Sequence, residues 1–277
     1  MIQDIGEHTF DNQYHPCPPD RESYALYYED HAALVRKYPD RIEFPKFRDI
    51  ERLNEDIYED AVYLFSIDGE RYYLVEEINR ERQSHFTMEN TEIFRYAEPQ
   101  YLAFAGITGY QLHNWYQSRR FCGKCGRRMK KDSKERMLYC EFCHNMEFPK
   151  ICPAVIIGVT DGDKILMSKY AGRTYKKYAL LAGFTEIGET LEETVQREVM
   201  EEVGLKVKNI RYYKSQPWSF TDTLLMGFYC DLDGGAITLD REELAMAEWF
   251  QRDEIPVEPE RDSITNEMII RFKNGEV

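Results

Sequence analysis

The chain has 277 residues and a formal net charge of −14, from 50 Asp and Glu against 36 Lys and Arg. This length favours about two domains, and a hydrophobic content of 43% excludes wholesale disorder. No apolar run is long enough to cross a membrane, and the acidic first residues do not resemble a secretory signal, so we expect a cytoplasmic protein. The acidic balance argues against a protein that holds nucleic acid by bulk charge.

The first predicted domain, residues 1–116, has a mixed α/β pattern. Apolar runs on either side of Asp68–Gly69 predict a β-hairpin with a tight turn. Aromatic and aliphatic residues at helical spacing predict a helix over about 98–120, although Gly106 and Gly109 weaken that pattern in its middle. No catalytic constellation stands out in this domain, and we assign it packing and dimer contacts alone.

The second predicted domain, residues 117–150, contains two Cys-x-x-Cys pairs separated by 14 residues. Each pair suits a tight knuckle, and two knuckles can close a tetrahedral site of four thiolates, which fits structural zinc. Two disulfides would need a secreted context, and a redox motif would use one pair rather than two. We therefore predict a zinc ribbon with one ion bound by Cys122, Cys125, Cys140 and Cys143.

The third predicted domain, residues 151–277, opens with a second predicted hairpin around Asp161–Gly162 and closes with a helix near 265–272. Between them, Thr190 and Glu193 form a capping box that predicts the start of a helix, which Gly204 is suited to end. Leucine and valine at every fourth position give this helix an apolar stripe.

Three carboxylates gather at the end of this helix, because Glu198, Glu201 and Glu202 fall at i, i+3 and i+4. They repel one another and lie near the negative end of the helix dipole, where a purely structural helix would carry Lys or Arg. The cluster makes sense if Mg²⁺ or Mn²⁺ neutralises it. Arg197 is expected to pair with Glu193 and with Glu189, which would orient the helix against the preceding loop.

This stretch is identified as a Nudix box, a pattern that here comprises Gly183, Glu189, Arg197, Glu198, Val199, Glu201, Glu202, Gly204 and Leu205. The resemblance implies a C-terminal Nudix α/β/α sandwich within an α+β chain. It further implies that Glu198, Glu201 and Glu202 bind catalytic Mg²⁺ or Mn²⁺, helped by a backbone carbonyl near Ala182 or Gly183. Bound metals would offset the charge of a pyrophosphate and activate a water.

A four-cysteine ribbon directly before a Nudix domain resembles the NADH pyrophosphatase branch of this family. That branch carries a Ser-Gln-Pro-Trp-Pro-Phe-Pro-x-Ser motif, and residues 215–223, here called the SQPW segment, match it imperfectly. Ring faces can stack on a base, and polar side chains can bind phosphate or ribose, although such rings are often core residues. The resemblance implies a substrate-binding role for Ser215, Gln216, Pro217, Trp218, Ser219 and Phe220.

Several isolated positions are also carried over by resemblance. Glu135 and Phe148 flank the last two zinc cysteines and are expected to contact substrate, as is Thr265, whose segment also reads as an ordinary helix cap. A further metal-binding acid is expected at Glu243, in preference to Glu242. Either Glu201 or Glu243 would serve as general base.

The resemblance implies a homodimeric, metal-dependent enzyme that hydrolyses NADH or NAD⁺ to AMP and reduced or oxidised nicotinamide mononucleotide. Residues 119–136 carry a local net charge of +7. That charge is either a solvated face beside the zinc thiolates or a means of attracting an RNA whose 5′ end is an NAD cap. Two alternatives stay open: hydrolysis of another nucleotide such as ADP-ribose, and a non-catalytic nucleotide sensor, which the intact acidic triad disfavours.

Overall fold

A computed structural model describes the chain in five stretches, residues 1–54, 56–79, 85–172, 177–261 and 263–277. These residues divide into two compact units. The N-terminal unit comprises residues 2–150 and 219–221, and the C-terminal unit comprises Met1 with residues 151–218 and 222–277. None of the helices in the described stretches is both long and apolar enough to cross a membrane.

The N-terminal unit combines helices with short strands. Its helices are α1 (Phe47–Ile50) and α2 (Gln100–Ser118), and a 3₁₀ turn covers Thr91–Arg95. Its strands are β1 (Phe10–Asp11), β2 (Tyr24–Leu26), β3 (Tyr28–Glu29), β4 (Ala32–Lys37), β5 (Ile42–Glu43), β6 (Val62–Ile67), β7 (Glu70–Leu74), β8 (Thr87–Asn90), β9 (Lys130–Lys131), β10 (Leu138–Tyr139) and β11 (Met146–Glu147).

These strands form three small sheets. One has the order β1-β6-β7-β2, a second joins β3, β4, β5 and β8, and the ribbon sheet has the order β11-β10-β9. The predicted hairpin is confirmed as β6 and β7, with Asp68 and Gly69 both at positive φ, as a tight turn between antiparallel strands requires.

Helix α2 confirms the predicted helix and explains its two central glycines. A Cβ on Gly106 would lie 2.5 Å from the ring of Phe94, and one on Gly109 would lie 2.4 Å from a methyl of Leu26. Close packing against the helix therefore requires glycine at both positions, and it outweighs the weak helix propensity of that residue.

The C-terminal unit contains one sheet and two helices. Its helices are α3 (Leu191–Val203) and α4 (Ile264–Lys273), and a 3₁₀ turn covers Arg252–Glu254. Its strands are β12 (Cys152–Asp161), β13 (Lys164–Tyr170), β14 (Leu181–Phe184), β15 (Lys206–Trp218), β16 (Thr223–Gly234) and β17 (Leu244–Gln251). The sheet order is β15-β16-β12-β13-β17, with β14 also paired to β12. Strands β12 and β16 are parallel, and the other pairs are antiparallel.

The two faces of this sheet bury different helices. Val155, Ile157 and Val159 of β12 share a core with the valines of α3, whereas Ile156 between them shares a core with α4. Alternate side chains of a strand point to opposite faces, so the sheet lies between the two helices. This arrangement confirms the predicted α/β/α sandwich and the α+β class, and the hairpin at Asp161–Gly162 joins β12 to β13 as predicted.

Candidate active site and cysteine cluster

Helix α3 begins and ends where its sequence predicts. The Thr190 hydroxyl accepts a hydrogen bond from the Glu193 backbone at 3.2 Å, and the Glu193 carboxylate accepts one from the Thr190 backbone at 2.8 Å. Gly204 ends the helix in the left-handed conformation with φ 69°. These caps fix the helix register and therefore the direction of each carboxylate along it.

The three box carboxylates of α3 have different surroundings. Glu198 and Glu202 are buried, at 8% and 2% exposure, whereas the side chain of Glu201 is 58% exposed. Glu198 precedes the other two by about one helical turn. Two carboxylates are therefore held against the protein, and the third faces solvent.

Arg197 connects the acidic residues of the box. Its Nε and Nη2 contact the two carboxylate oxygens of Glu189 at 2.6 and 2.9 Å. Its Nη1 contacts Glu198 at 2.7 Å and Glu201 at 2.8 Å, and Nη2 also donates to the Phe184 carbonyl at 2.9 Å. Hydrogen bonding to Arg197 lowers the pKa of Glu189 to about 2, as a bidentate pair does.

The predicted pairing of Arg197 with Glu189 is confirmed, but the predicted pairing with Glu193 is wrong. The capping box already engages the Glu193 carboxylate with both the backbone and the hydroxyl of Thr190. The start of the helix therefore binds the Glu193 carboxylate, and the Arg197 guanidinium contacts Glu189 in the preceding loop instead.

Gly183 is held beside Glu198 by the sheet. Strand β14 pairs with β12 so that Ala182 lies opposite Ile156 and Gly183 opposite Val155. A Cβ on Gly183 would lie 1.9 Å from the Glu198 carboxyl carbon, closer than real Cβ contacts. Glycine is thus the residue that leaves room for this carboxylate, which lies beside the backbone predicted to supply another oxygen ligand.

The acidic donors fit a hard divalent cation. Burial raises the pKa of Glu198; Arg197 opposes that rise, and the carboxylates of Glu201 and Glu243 add to it. A buried carboxylate facing two others is costly unless a cation neutralises them. Carboxylate oxygens are the ligands that Mg²⁺ and Mn²⁺ prefer, so this donor set suits either ion.

The box carboxylates do not converge on a single point. Throughout the part of the chain that the structure describes, one group of three or more His, Cys, Asp or Glu has all its ligand atoms within 4.8 Å of one another, and it is the four cysteines. Of the three carboxylates of α3, Arg197 instead contacts two, those of Glu198 and Glu201.

The four predicted zinc cysteines converge fully. The Sγ atoms of Cys122 and Cys143 lie 3.5 Å apart, as do those of Cys125 and Cys140. Thiolates bound to one tetrahedral zinc lie about 3.8 Å apart, given Zn–S bonds of about 2.3 Å. Backbone hydrogen bonding from Cys143 lowers the pKa of the Cys140 thiol to about 6, whereas the pKa of Cys125 is raised despite a backbone hydrogen bond from Arg127, because the other three cysteine sulfurs crowd it. The donor set therefore fits structural zinc.

The two cysteine knuckles share one backbone design. The Gly126 N–H donates to the Cys122 carbonyl at 2.8 Å, and the His144 N–H donates to the Cys140 carbonyl at 2.9 Å. Gly126 and His144 both have positive φ, at 73° and 58°. Within each turn, other backbone N–H groups donate to the first sulfur, those of Lys124 and Cys125 to Cys122 and those of Cys143 and Phe142 to Cys140.

The first half of the SQPW segment lies at the end of β15. Gln216 is fully buried, and its Oε1 accepts the backbone N–H of Ile264 at 2.7 Å, at the start of α4. Ser215 and Trp218 are half-buried, and Pro217 is exposed. Gln216 thus joins two elements of the C-terminal unit, while its three neighbours stay partly accessible.

Residues 219–221 of the SQPW segment belong to the N-terminal unit, whereas Asp222 and Thr223 belong to the C-terminal unit. Ser219 is buried, and the guanidinium of Arg95 lies 4.3 Å from the centre of the Phe220 ring. This cation–π contact occupies one ring face. The sequence carries no local signal for it, because the two residues are far apart along the chain.

The other residues carried over by resemblance are surface or capping residues. Glu135 is exposed in the loop between β9 and β10, and Phe148, just after β11, is 57% exposed. Thr265 is half-buried in the first turn of α4, which Ser263 caps by accepting the Asn266 N–H at 3.3 Å. The helix-cap interpretation of this segment is thus confirmed for Ser263, and Thr265 stays accessible.

Comparisons with known proteins agree with this site. The family model of the NUDIX domain matches residues 150–272. Relatives named NAD-capped RNA hydrolase NudC, from Photorhabdus laumondii and from Enterobacter sp. strain 638, are each 42% identical over 161 residues, which cover 58% of this chain and 63% and 62% of the relatives. A crystal structure of a NUDIX hydrolase from Nitrosomonas europaea aligns with a TM-score of 0.49 at 24% identity, covering 56% of this chain and 90% of that one.

Residues 150–272 therefore match the NUDIX domain, in agreement with the resemblance identified from the box. The match spans less than two thirds of the length of the curated relatives. The name that these relatives carry describes each of those proteins over its whole length.

Proposed function

We propose that this protein is a divalent-metal-dependent hydrolase that splits the pyrophosphate of NADH and NAD⁺, giving AMP and nicotinamide mononucleotide, and that removes NAD caps from RNA 5′ ends. The NUDIX domain supports the reaction class, and the printed name of the relatives supports the substrate. A four-cysteine cluster in the same chain agrees with the resemblance to the NADH pyrophosphatase branch.

One observation carries the proposal: the Glu198 carboxylate lies where a Cβ on Gly183 would be, within reach of the charges of Glu201 and Glu243. Such crowding of buried acid against backbone has no benefit for stability, because burial already disfavours the charge. It is explained if the carboxylates bind a metal together with the backbone carbonyl of Ala182 or Gly183.

Glu198, Glu201, Glu202 and Glu243 would hold Mg²⁺ or Mn²⁺. When bound, the cation supplies charge neutralisation for the pyrophosphate and acidifies a water. Glu201 and Glu243 are both exposed, so either can accept a proton from that water. Arg197 keeps Glu198 and Glu201 facing the same side of α3.

Substrate recognition would fall to residues that remain accessible. Trp218, Phe220 and Phe148 offer rings for the adenine or nicotinamide, and Ser215, Glu135 and Thr265 offer polar groups. Pro217 would shape the end of β15, while Gln216 and Ser219 would act by holding the SQPW segment in place because both are buried. We further propose a homodimer, one zinc per chain at the cysteine cluster, and a cytoplasmic location, since a thiolate cluster needs reducing conditions.

The test is a turnover assay of the purified protein with Mg²⁺ or Mn²⁺ against NADH, NAD⁺, NAD-capped RNA, ADP-ribose and diadenosine polyphosphates, with products identified. We expect AMP and a mononucleotide from NADH and NAD⁺. Glu201→Gln and Glu202→Gln should each lower kcat by a factor of about 10² or more, whereas Glu192→Gln, an exposed acid in the first turn of the same helix, should not.

Other outcomes of this assay would identify the alternatives. Turnover of ADP-ribose without turnover of NADH would favour a hydrolase of another nucleotide. Tight nucleotide binding without turnover of any substrate would favour a sensor. Near-normal kcat in both glutamine variants would refute the metal-site assignment.

A further inference from the structure

The N-terminal unit contains a cavity that belongs neither to the carboxylate site nor to the cysteine cluster. Its volume is about 460 Å³, and sites for small molecules span roughly 300–1,000 Å³. Strands β4 and β5 and the first turn of α2 supply wall residues, among them Arg36, Glu43 and Tyr101. Every lining residue lies in the N-terminal unit, so a single folded unit forms the whole cavity.

Aromatic side chains give this cavity a well-supported apolar wall. The rings that line it are Tyr24, Phe44, Phe86 and Tyr101. Tyr24 stacks on the fully buried Tyr72, with ring centres 4.6 Å apart. Among the residues that the structure describes, none hydrogen-bonds the hydroxyl of Tyr24 or of Tyr101. The wall therefore offers ring surface and two hydroxyl groups to a ligand that has a flat ring and hydroxyls of its own.

Arg36 adds a cation that no carboxylate contacts directly. It lies opposite Glu43 in the pairing of β4 with β5, where opposite charges stabilise a sheet by pairing. Instead, its Nη1 donates to the Tyr38 hydroxyl at 3.2 Å, and that hydroxyl donates to Glu43 at 3.1 Å. Within the described stretches, no carboxylate lies within 4.0 Å of the Arg36 guanidinium.

The other cations of the wall already have partners. Each has a carboxylate within 4.0 Å: Arg41 has Glu43, Lys46 has Glu22 and Glu70, and Arg48 has Glu22. Of the wall cations in the part of the chain that the structure describes, Arg36 is thus the one left for an anion. Two carboxylates, those of Glu43 and Asp49, also line the cavity, and they oppose the entry of a second negative group.

We propose that this cavity binds a nucleoside monophosphate, with its phosphate on Arg36 and its base and ribose against the aromatic wall. A guanidinium binds phosphate through two parallel N–H groups, and the hydroxyls of Tyr24 and Tyr101 can bind the ribose. One unpaired cation beside two carboxylates favours a monophosphate over a dinucleotide, whose pyrophosphate brings more charge. The biological role rests on the proposed function, because both of its products, AMP and nicotinamide mononucleotide, belong to this class of ligand.

The test is calorimetric titration of the full-length, zinc-loaded protein with AMP, without added Mg²⁺ or Mn²⁺. We expect one AMP per chain. Arg36→Gln should weaken binding about tenfold or more, because it removes a charge-assisted contact, and Tyr101→Phe should weaken it about threefold. Adenosine lacks the phosphate and ribose 5-phosphate lacks the base, so each should bind about tenfold more weakly than AMP. NAD⁺ should also bind more weakly.

Matched controls change the same kinds of side chain outside the cavity. Lys37→Gln removes the exposed cation that follows Arg36 in β4, where the side chain points to the opposite face of the sheet. Tyr96→Phe removes the hydroxyl of a tyrosine that is 71% exposed. Both should bind AMP as the wild type does, and so should Glu201→Gln, which alters the carboxylate site. Zinc content and thermal unfolding of each variant report whether its fold is intact.

Three results would overturn the inference. The first is absence of AMP binding by the wild type at millimolar concentration. The second is binding that Glu201→Gln abolishes and Arg36→Gln leaves unchanged, which would place AMP at the carboxylate site. The third is equal affinity for AMP and ribose 5-phosphate, which would make the cavity a site for phosphate alone. Absence of NADH turnover in the wild type would refute the proposed function, whereas AMP binding is measured without turnover and decides this inference separately.

Discussion

The two clusters of potential metal ligands in this molecule reach their geometry by different routes. Four cysteine sulfurs converge within 4.8 Å, because each short knuckle directs its own donors. The carboxylates of α3 are spread along one turn, and Arg197 links two of them from the side. Two tight turns bring their own ligands together as the ribbon folds with its metal, whereas like charges on one helix need a counter-charge to lie side by side.

The largest expected effect is loss of the cysteine site. Cys140→Ser should abolish stoichiometric zinc and unfold the ribbon, because structural zinc in comparable peptides contributes roughly 10 kcal/mol or more. Zinc content and amide exchange of the ribbon strands measure this. Cys230→Ser, in a buried cysteine of the C-terminal unit, is the matched control and should keep its zinc. Full zinc content in Cys140→Ser would refute the assignment.

The next effect concerns the space beside Glu198. Gly183→Ala puts a methyl group where the carboxylate lies, so Glu198 must move, and we expect kcat to fall about 100-fold. Gly123→Ala is the control, because nothing lies within 4 Å of its added Cβ. Adding Glu198→Ala to Gly183→Ala should recover thermal stability but not activity. Wild-type turnover in Gly183→Ala would contradict the described packing.

The sequence predicted the local parts of both clusters well, because their signals are short-range. Capping of α3 by Thr190 and the two knuckles depend on residues within five positions of each other, and both are found as predicted. Contacts between segments that are far apart along the chain were not predicted from the sequence. The closeness of Gly183 to Glu198 follows from the β14 pairing with β12, and Arg95 reaches Phe220 only in the folded N-terminal unit.

The wrong pairing of Arg197 with Glu193 has a local origin instead. The i, i+4 spacing on a helix allows both Glu193 and Glu201 as partners of Arg197. That spacing does not take into account that Thr190 at the helix start binds the Glu193 carboxylate. The roles of the SQPW residues stay predictions for a similar reason, since a substrate contact depends on where a ring points and not on its place in a motif.

Removing Arg197 would test whether it acts as the counter-charge. Arg197→Gln should destabilise the metal-free protein by about 2 kcal/mol, because it deletes hydrogen bonds to three carboxylates at a partly buried site. Saturating Mg²⁺ should recover part of this loss, since the cation neutralises the same groups. Arg211→Gln, which removes the pair with Asp231, should show a smaller loss that Mg²⁺ does not change. A loss in Arg197→Gln that is insensitive to Mg²⁺ would make Arg197 purely structural.

The smallest effect is a gain in stability from removing a candidate metal ligand. Burial raises the pKa of Glu198, so its ionised form is disfavoured in the folded state. The contribution of the Glu198 carboxyl to stability is therefore fully present below the unfolded pKa of about 4.3 and is lost as pH rises through the higher folded value. With EDTA present, Glu198→Gln should be about 1 kcal/mol more stable than the wild type at pH 7.5. The gain should vanish near pH 4, where the wild-type carboxyl is protonated and resembles the amide.

Urea unfolding at both pH values measures this gain, and Glu192→Gln on the exposed first turn should show none. Adding Mg²⁺ should make the wild type more stable than Glu198→Gln at pH 7.5, because only the carboxylate gains a strong ligand interaction with the cation. A wild type that stays less stable than Glu198→Gln in saturating Mg²⁺ would mean that Glu198 carries its buried charge for some purpose other than metal binding. The cysteine cluster, whose ligands converge without crowding against a backbone, should show no comparable gain when a ligand is removed.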